Sequence, residues 1–211
     1  MAPAAKLGLV IGGYRQSMPP PVDHEARRRH IAEIAADLIA EGGLDQATVR
    51  KVSAAAGYST AVVSHYFADK RELLLLAYRA AAQETQRRFD AARANDPRDL
   101  TGALEAFLPI DAQSARAWRV YFAFWSVTAS DPELAAEQKW WLANARRIIG
   151  ETVRDRFGMR DDLEMCAQSL LIMMQGLAVQ AVFDQDQWTA DKQHAFLETQ
   201  VRLITGEAQN Q

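Results

Sequence analysis

Residues 48–67, TVRKVSAAAGYSTAVVSHYF, hold two short apolar-periodic segments on either side of Gly57. Thr48 stands where an N-cap hydroxyl would satisfy the free amides of a helix carrying Val49, Val52 and Ala55, and Ser59 stands in the same relation to a second helix. Gly57 supplies the turn conformation without a Cβ penalty. Small residues Ala54 to Ala56 allow close approach, and Val52, Ala55 and Val62 or Val63 are expected to lock the two segments at a steep angle. The pattern is a helix-turn-helix. Its second helix is then free to enter the major groove of double-stranded DNA, presenting Ser59, Thr60, Ala61, Ser64 and His65 to phosphates and base edges. Thr48 and Arg50, at the start of the first helix, join them as candidate DNA-binding residues.

Outward from this unit the chain reads as all-α. A helix from about His24 to Glu41 carries Ile31, Ile34, Ala35, Leu38 and Ile39 on one stripe and ends at Gly42-Gly43. Asp69 caps a long fourth helix whose pattern breaks at Asn95-Asp96-Pro97, the expected domain junction. Further helices are expected at Asp99 to Phe107, Gln113 to Val127, Pro132 to about Phe157, Asp162 to Phe183 and Thr189 to about Thr205. The division adopted is a flexible tail over 1–22, a helix-turn-helix domain over 23–80 and a helical effector-binding and dimerisation domain over 81–211.

Charge is more informative by region than in total. The net charge is −3, distributed as +2 over residues 1–22, 0 over 23–80 and −5 over 81–211. Arg50, Lys51, Lys70 and Arg71 against Asp69 leave a local surplus of +3 within 48–71, a small footprint suited to a polyanion met by one face. A solvated helical face would look the same by charge alone.

Several classes are excluded. One cysteine rules out an intramolecular disulfide framework, and 49% apolar with 24% charged residues is an ordinary globular composition, expected in the cytoplasm. The densest apolar stretch, Leu170 to Phe183, falls short of the roughly 20 residues of a membrane span, so no membrane partner is expected. His24, His30, His65 and His194 lack metal-ligand spacing, and no nucleophile elbow, phosphate loop or zinc-protease signature occurs. Neither metal, cofactor nor catalysis is expected. Cys166 reads as an inert core thiol and Asp161-Asp162 as helix-capping charges.

The run Gly57 to Leu74, GYSTAVVSHYFADKRELL, resembles the signature of TetR-family transcriptional regulators, and the likeness extends from about Arg28 to Tyr78. The resemblance implies that Tyr66 and Lys70 contact DNA phosphates; Phe67 is expected in the core. Within that family the wording is similar to the repressors of choline-to-betaine genes, with a departure at Ala61 and Val62-Val63, where those proteins usually have Gly and Ile. A second matching stretch, Ala117 to Trp125, and a Gly176-Leu177 pattern lie in the second domain. That subgroup's second domain is shared by regulators of unrelated pathways, so the resemblance leaves the ligand open.

Residues 118–125 hold five aromatic rings, too many for one face of two helical turns. Phe124, on a face different from Tyr121 and Trp125, is expected in the core. A small-molecule effector pocket is expected around Trp118, Tyr121, Phe122, Trp125 and Trp141, with Met173 and Met174 as adaptable walls and polarity from Gln175, Tyr121, Asn144 or Arg147. The aromatic helix carries Arg116 and Arg119 and no carboxylate between Gln113 and Val127, which favours a planar hydrophobic effector over choline. Eleven of the fourteen residues from Leu170 to Phe183 are apolar, so that helix must be covered on two sides. A homodimer interface is expected from Leu170, Met173, Leu177, Gln180 and Ala181, completed by Phe196, Leu197, Val201 and Ile204 of the last helix, with Gly176 permitting close approach. The expectation is a ligand-responsive repressor binding a palindromic operator as a homodimer. The rivals are a helical-bundle enzyme or small-ligand carrier with a non-functional helix-turn-helix, and a constitutive architectural DNA-binding protein without a pocket.

Overall fold

A computed structural model describes residues 23–207; the expected flexible tail, 1–22, lies outside the described residues. Nine α-helices follow in order: α1 (His24–Gly42), α2 (Val49–Ala56), α3 (Thr60–Tyr66), α4 (Lys70–Asn95), α5 (Leu100–Glu105), α6 (Ala112–Thr128), α7 (Pro132–Phe157), α8 (Leu163–Phe183) and α9 (Ala190–Thr205), and no strand occurs among the described residues. A single 3₁₀ turn, Leu44–Gln46, links α1 to α2.

Side-chain caps fix most of the helix starts. Asp23, Thr48, Ser59, Asp69, Asp111, Asp131 and Thr189 each accept a hydrogen bond from an amide of the first turn. Asp111 and Ser114 form a reciprocal capping box, and Pro132 fills the first position of α7, where its missing N–H costs nothing. Asp162 differs from these caps. It stands at the N-cap of α8, where its charge faces the helix start, but its carboxylate makes no capping bond and instead accepts from Arg160.

Gly57 adopts φ 68°, a left-handed conformation that lets its N–H bond back to the carbonyls of α2. The α2–α3 lock is formed by Val52, Val63 and Phe67, all fully buried, together with buried Ser53. Ala55, expected in that lock, is exposed, because the α2 face turned toward α1 is the one carrying Val52 and Ser53.

The hydrophobic core does not divide at the end of the reading head. One cluster joins Ile31, Ile39, Val52, Val63 and Phe67 of the head to Leu73, Leu74 and Ala77 of α4 and then to Val120 and Phe124 of α6. Phe124 stacks on Tyr78 with ring centroids 3.8 Å apart. A second cluster packs α5, α7, α8 and α9 around Leu104, Ile149, Leu170 and Leu197. α4 therefore belongs to both halves, its first turns to the head and its later turns to the C-terminal bundle. Counted from Leu163, α8 has 21 residues, long and apolar enough by length and composition to cross a membrane, which corrects the shorter count. Its buried face is nevertheless packed against α6, α7 and α9.

Candidate DNA-reading head and effector cavity

The head places Thr48, Arg50, Ser59, Thr60, Ala61, Ser64, His65 and Lys70 at the surface and Tyr66 half-buried. Two hydroxyls are already engaged. Thr48 Oγ1 accepts from the Lys51 amide and Ser59 Oγ from the Val62 amide, both at 3.3 Å, so these side chains shape the helix starts. Thr60, Ala61, Ser64 and His65 remain as the exposed face of α3.

The charged and phenolic groups have partners that sequence spacing does not disclose. Lys70 Nζ donates to Asp45 Oδ1 at 2.8 Å, and the ammonium holds that carboxyl below its usual range by hydrogen bond and by charge. The Tyr66 hydroxyl lies 2.7 Å from His24 Nδ1, and the His65 ring stands edge-on to Tyr66.

The second site is a cavity of about 90 Å³ between α4, α6, α7 and α8. Trp118, Tyr121, Trp125, Trp141, Met174 and Gln175 line it, as does Asn144. Phe122 does not. Its half-buried ring packs against Trp118 and Trp125 and stacks on exposed Phe183, centroids 5.7 Å apart, away from the cavity wall. Met173 and Arg147 also lie off the wall; Arg147 pairs with Glu151 and Asn144.

The wall that sequence reading missed belongs to α4. Tyr78, Ala82, Thr85 and Gln86 recur at helical spacing and face the cavity, a stripe hidden in sequence because its members are mixed in polarity. Their hydrogen bonds cross to the other helices. The Tyr121 hydroxyl lies 2.8 Å from Thr85 Oγ1 and 3.1 Å from the Ala81 carbonyl that it bonds, while Tyr78 donates to Gln138 Oε1 at 2.6 Å. Asn144 Nδ2 donates to Gln86 Oε1 at 3.1 Å. Burial pushes both phenols well above their usual range, so they stay protonated.

α4 and α7 run parallel, bridged side chain to side chain. Arg71 binds Asp131 and Glu133, Tyr78 meets Gln138, Arg79 chelates Glu137 at 2.6 and 2.8 Å, Gln86 meets Asn144 and Arg93 pairs with Asp155. The sequence offset stays near 60 at each rung, as two parallel helices in register require. Glu137 also accepts from Trp141 Nε1 at 3.0 Å, and the Arg79 guanidinium beside it lowers its carboxyl pKa. Long polar side chains thus span a gap that the cavity partly occupies.

The expected interface needs correction. Leu170, Leu177, Ala181, Leu197 and Val201 are at most 4% exposed and belong to the chain's own core, so they have no surface to offer a partner. Met173 and Ile204 are half-buried and Gln180 is exposed. The open face of α8 carries Met165, Ile172, Gly176, Gln180 and Phe183, and Leu203 stands open on α9. An all-round apolar helix has no polar side to betray which face turns inward.

Comparison with known proteins agrees with both halves. Residues 31–77 match the family of bacterial regulatory proteins, tetR family, and residues 97–206 match the BetI-type transcriptional repressor C-terminal domain. The HTH-type transcriptional regulator BetI of Stenotrophomonas maltophilia (strain R551-3) is 30% identical over 181 residues, spanning 83% of this chain and 91% of that protein. PksA of Bacillus subtilis (strain 168) is 27% identical over 79% of this chain and 84% of its own. A transcriptional regulator from Rhodococcus sp. RHA1 superposes with a TM-score of 0.76 at 28% identity, covering 85% of this chain and 96% of that one. A regulator from Saccharomonospora viridis, solved in complex with choline, shares the fold with a TM-score of 0.71 at 24% identity, over 84% of this chain and 96% of its own. The family is one of transcriptional regulators and not of enzymes. With a helix-turn-helix head, a strapped fourth helix and a matching C-terminal bundle, this chain belongs to the TetR family of transcriptional repressors, with a C-terminal domain of the BetI type.

Proposed function

We propose that this chain is a ligand-responsive repressor that binds a palindromic operator as a homodimer, acts in the cytoplasm and is released by a planar hydrophobic small molecule. The supporting observation is the double membership of α4. Its first residue, Lys70, stands beside the recognition helix α3, and Tyr78, Ala82, Thr85 and Gln86 two to four turns later wall the cavity. Ligand sites usually enclose about 300–1,000 Å³, several times the roughly 90 Å³ of the cavity here. On this reading a bulky occupant is accommodated by parting α4 from α7, and the head moves with α4. The effector lowers operator affinity only insofar as it prefers that spread arrangement.

The head, residues 23–80, reads DNA with Thr60, Ala61, Ser64 and His65 of α3, while Thr48, Arg50, Ser59, Tyr66 and Lys70 address the phosphates around it. Residues 81–211, together with Tyr78 of α4, hold the effector, and the same region carries the partner face. The dimer face proposed in place of the buried one is the open stripe Met165, Ile172, Gly176 and Phe183 of α8 with Leu203 of α9, large apolar groups that a lone chain would leave in water. Binding of the full chain to the DNA upstream of its own coding sequence, with sedimentation to give the stoichiometry, tests this reading. Two chains per operator are expected; no preference for that DNA over random duplex would contradict it.

A further inference from the structure

Three indoles line the cavity, and their N–H groups are treated differently. Trp118 Nε1 donates to the Phe107 carbonyl at 2.9 Å and Trp141 Nε1 to Glu137 Oε1 at 3.0 Å. Trp125 Nε1 is closed off from water, and among the described residues no acceptor lies within hydrogen-bonding reach. The ring is held firmly, edge-on to Trp118 at 5.7 Å and roughly parallel to Tyr121 at 6.4 Å. A buried donor left unmade is a standing cost, so such groups are normally paired.

The rest of the wall is electrically neutral. Its polar atoms belong to phenols, a hydroxyl and amides, several bonded to one another, and among the described residues no carboxylate lines the cavity. The nearby carboxylate, Glu137, is chelated by Arg79 and also accepts from Trp141. A cation entering here would shed its water without gaining a counter-charge, and an anion would meet no cation on the wall.

Building on the effector reading above, we propose that the effector is an uncharged planar aromatic molecule carrying a carbonyl-type acceptor, and that Trp125 Nε1–H is the donor that selects it. Entry that parts α4 from α7 opens the wall at Trp125, and the carbonyl oxygen takes the bond that the free protein lacks. The apolar rings supply affinity for any flat hydrocarbon. The indole N–H supplies the preference among them.

Matched pairs of uncharged probes that differ by one carbonyl test this on the full-length chain by calorimetry: 1-indanone against indane, 1-tetralone against tetralin, and 9-fluorenone against fluorene. In the wild type each ketone is expected to bind about tenfold more tightly than its hydrocarbon, equivalent to 1.4 kcal/mol. Trp125→Phe should abolish the preference, bringing each ketone and its hydrocarbon to equal affinity whatever the smaller ring does to both. Trp118→Phe, whose indole is already satisfied, should keep it. Equal binding of ketone and hydrocarbon by the wild type overturns the acceptor claim even if Trp125→Phe fails to fold, and so does a preference that survives in Trp125→Phe. Tighter binding of choline than of any ketone overturns the neutral-ligand claim. If no probe binds, the acceptor proposal and the planar-effector reading fall together; if ketones bind with the expected preference and leave operator binding unaltered, only the regulatory reading falls.

Discussion

The head and the cavity keep their polar groups in opposite ways. In the head, two of the groups proposed to meet DNA, exposed Lys70 and half-buried Tyr66, hold partners near the surface, Asp45 and His24. In the cavity, the hydroxyls and amides are part-buried and bonded across helix boundaries, tying α4 to α6 and α7. Surface ion pairs cost little to exchange, whereas buried networks resist partial disruption. The head is thus suited to reversible contact with a polyanion, and the cavity to converting occupancy into movement.

The largest expected effect separates the two faces of α8, which carries part of the cavity wall on one side and the proposed partner surface on the other. Leu177→Asp would bury an unpaired charge in the chain's own core, a loss on the order of several kcal/mol, and should unfold the chain. Ile172→Asp, on the open face, should retain the helical circular dichroism signal while shifting sedimentation from dimer to monomer. A folded monomer from Leu177→Asp would return the interface to the buried face.

A smaller effect is expected in the head. Lys70→Ala should weaken operator and random duplex alike by roughly tenfold and reduce the salt slope by about one contact. Asp45→Asn should act in the opposite direction, raising affinity for both by about two- to threefold, because only an exposed pair is released. Titrations at several salt concentrations read both, and an unchanged slope in Lys70→Ala removes it from the phosphate contacts.

The head was legible because its determinants are local. Gly57 at the turn, Thr48 and Ser59 at the helix starts, and Val52 and Val63 at the crossing lie within twenty residues, and each behaves as its chemistry dictates. Half of the cavity was legible for a similar reason, since Trp118, Tyr121 and Trp125 fall on one face of α6. The α4 wall was not, because Tyr78, Thr85 and Gln86 read as ordinary helix until α7 is placed beside them. Asp45 lies 25 residues from Lys70 and no local rule connects them. On α8 the hydrophobic pattern had no polar side, so the choice between Leu177 and Ile172 as the outward residue needed the fold.

A modest effect concerns the attachment of α6 to the later turns of α4. Asp111 caps α6 and accepts from Arg88 of α4, whose guanidinium pulls its carboxyl pKa down to about 2. With the folded value below the unfolded one, its contribution is fully present above about pH 4 and is lost as pH falls through about 2. Asp111→Asn should therefore cost about 1 kcal/mol at neutral pH, discounted because the carboxylate is 47% exposed, and should flatten the acid limb of the stability curve. Chemical denaturation at several pH values tests it; parallel acid limbs would contradict it.

The central claim is that filling the cavity moves α4 and with it the head. Its most direct measurement is a thermodynamic cycle on the full chain: affinity for its own upstream DNA with and without saturating 9-fluorenone, and affinity for 9-fluorenone with and without that DNA. The account predicts that the ligand weakens DNA binding and that DNA weakens ligand binding by the same factor, at least fivefold. Ligand binding at the cavity that leaves DNA affinity unchanged would contradict it.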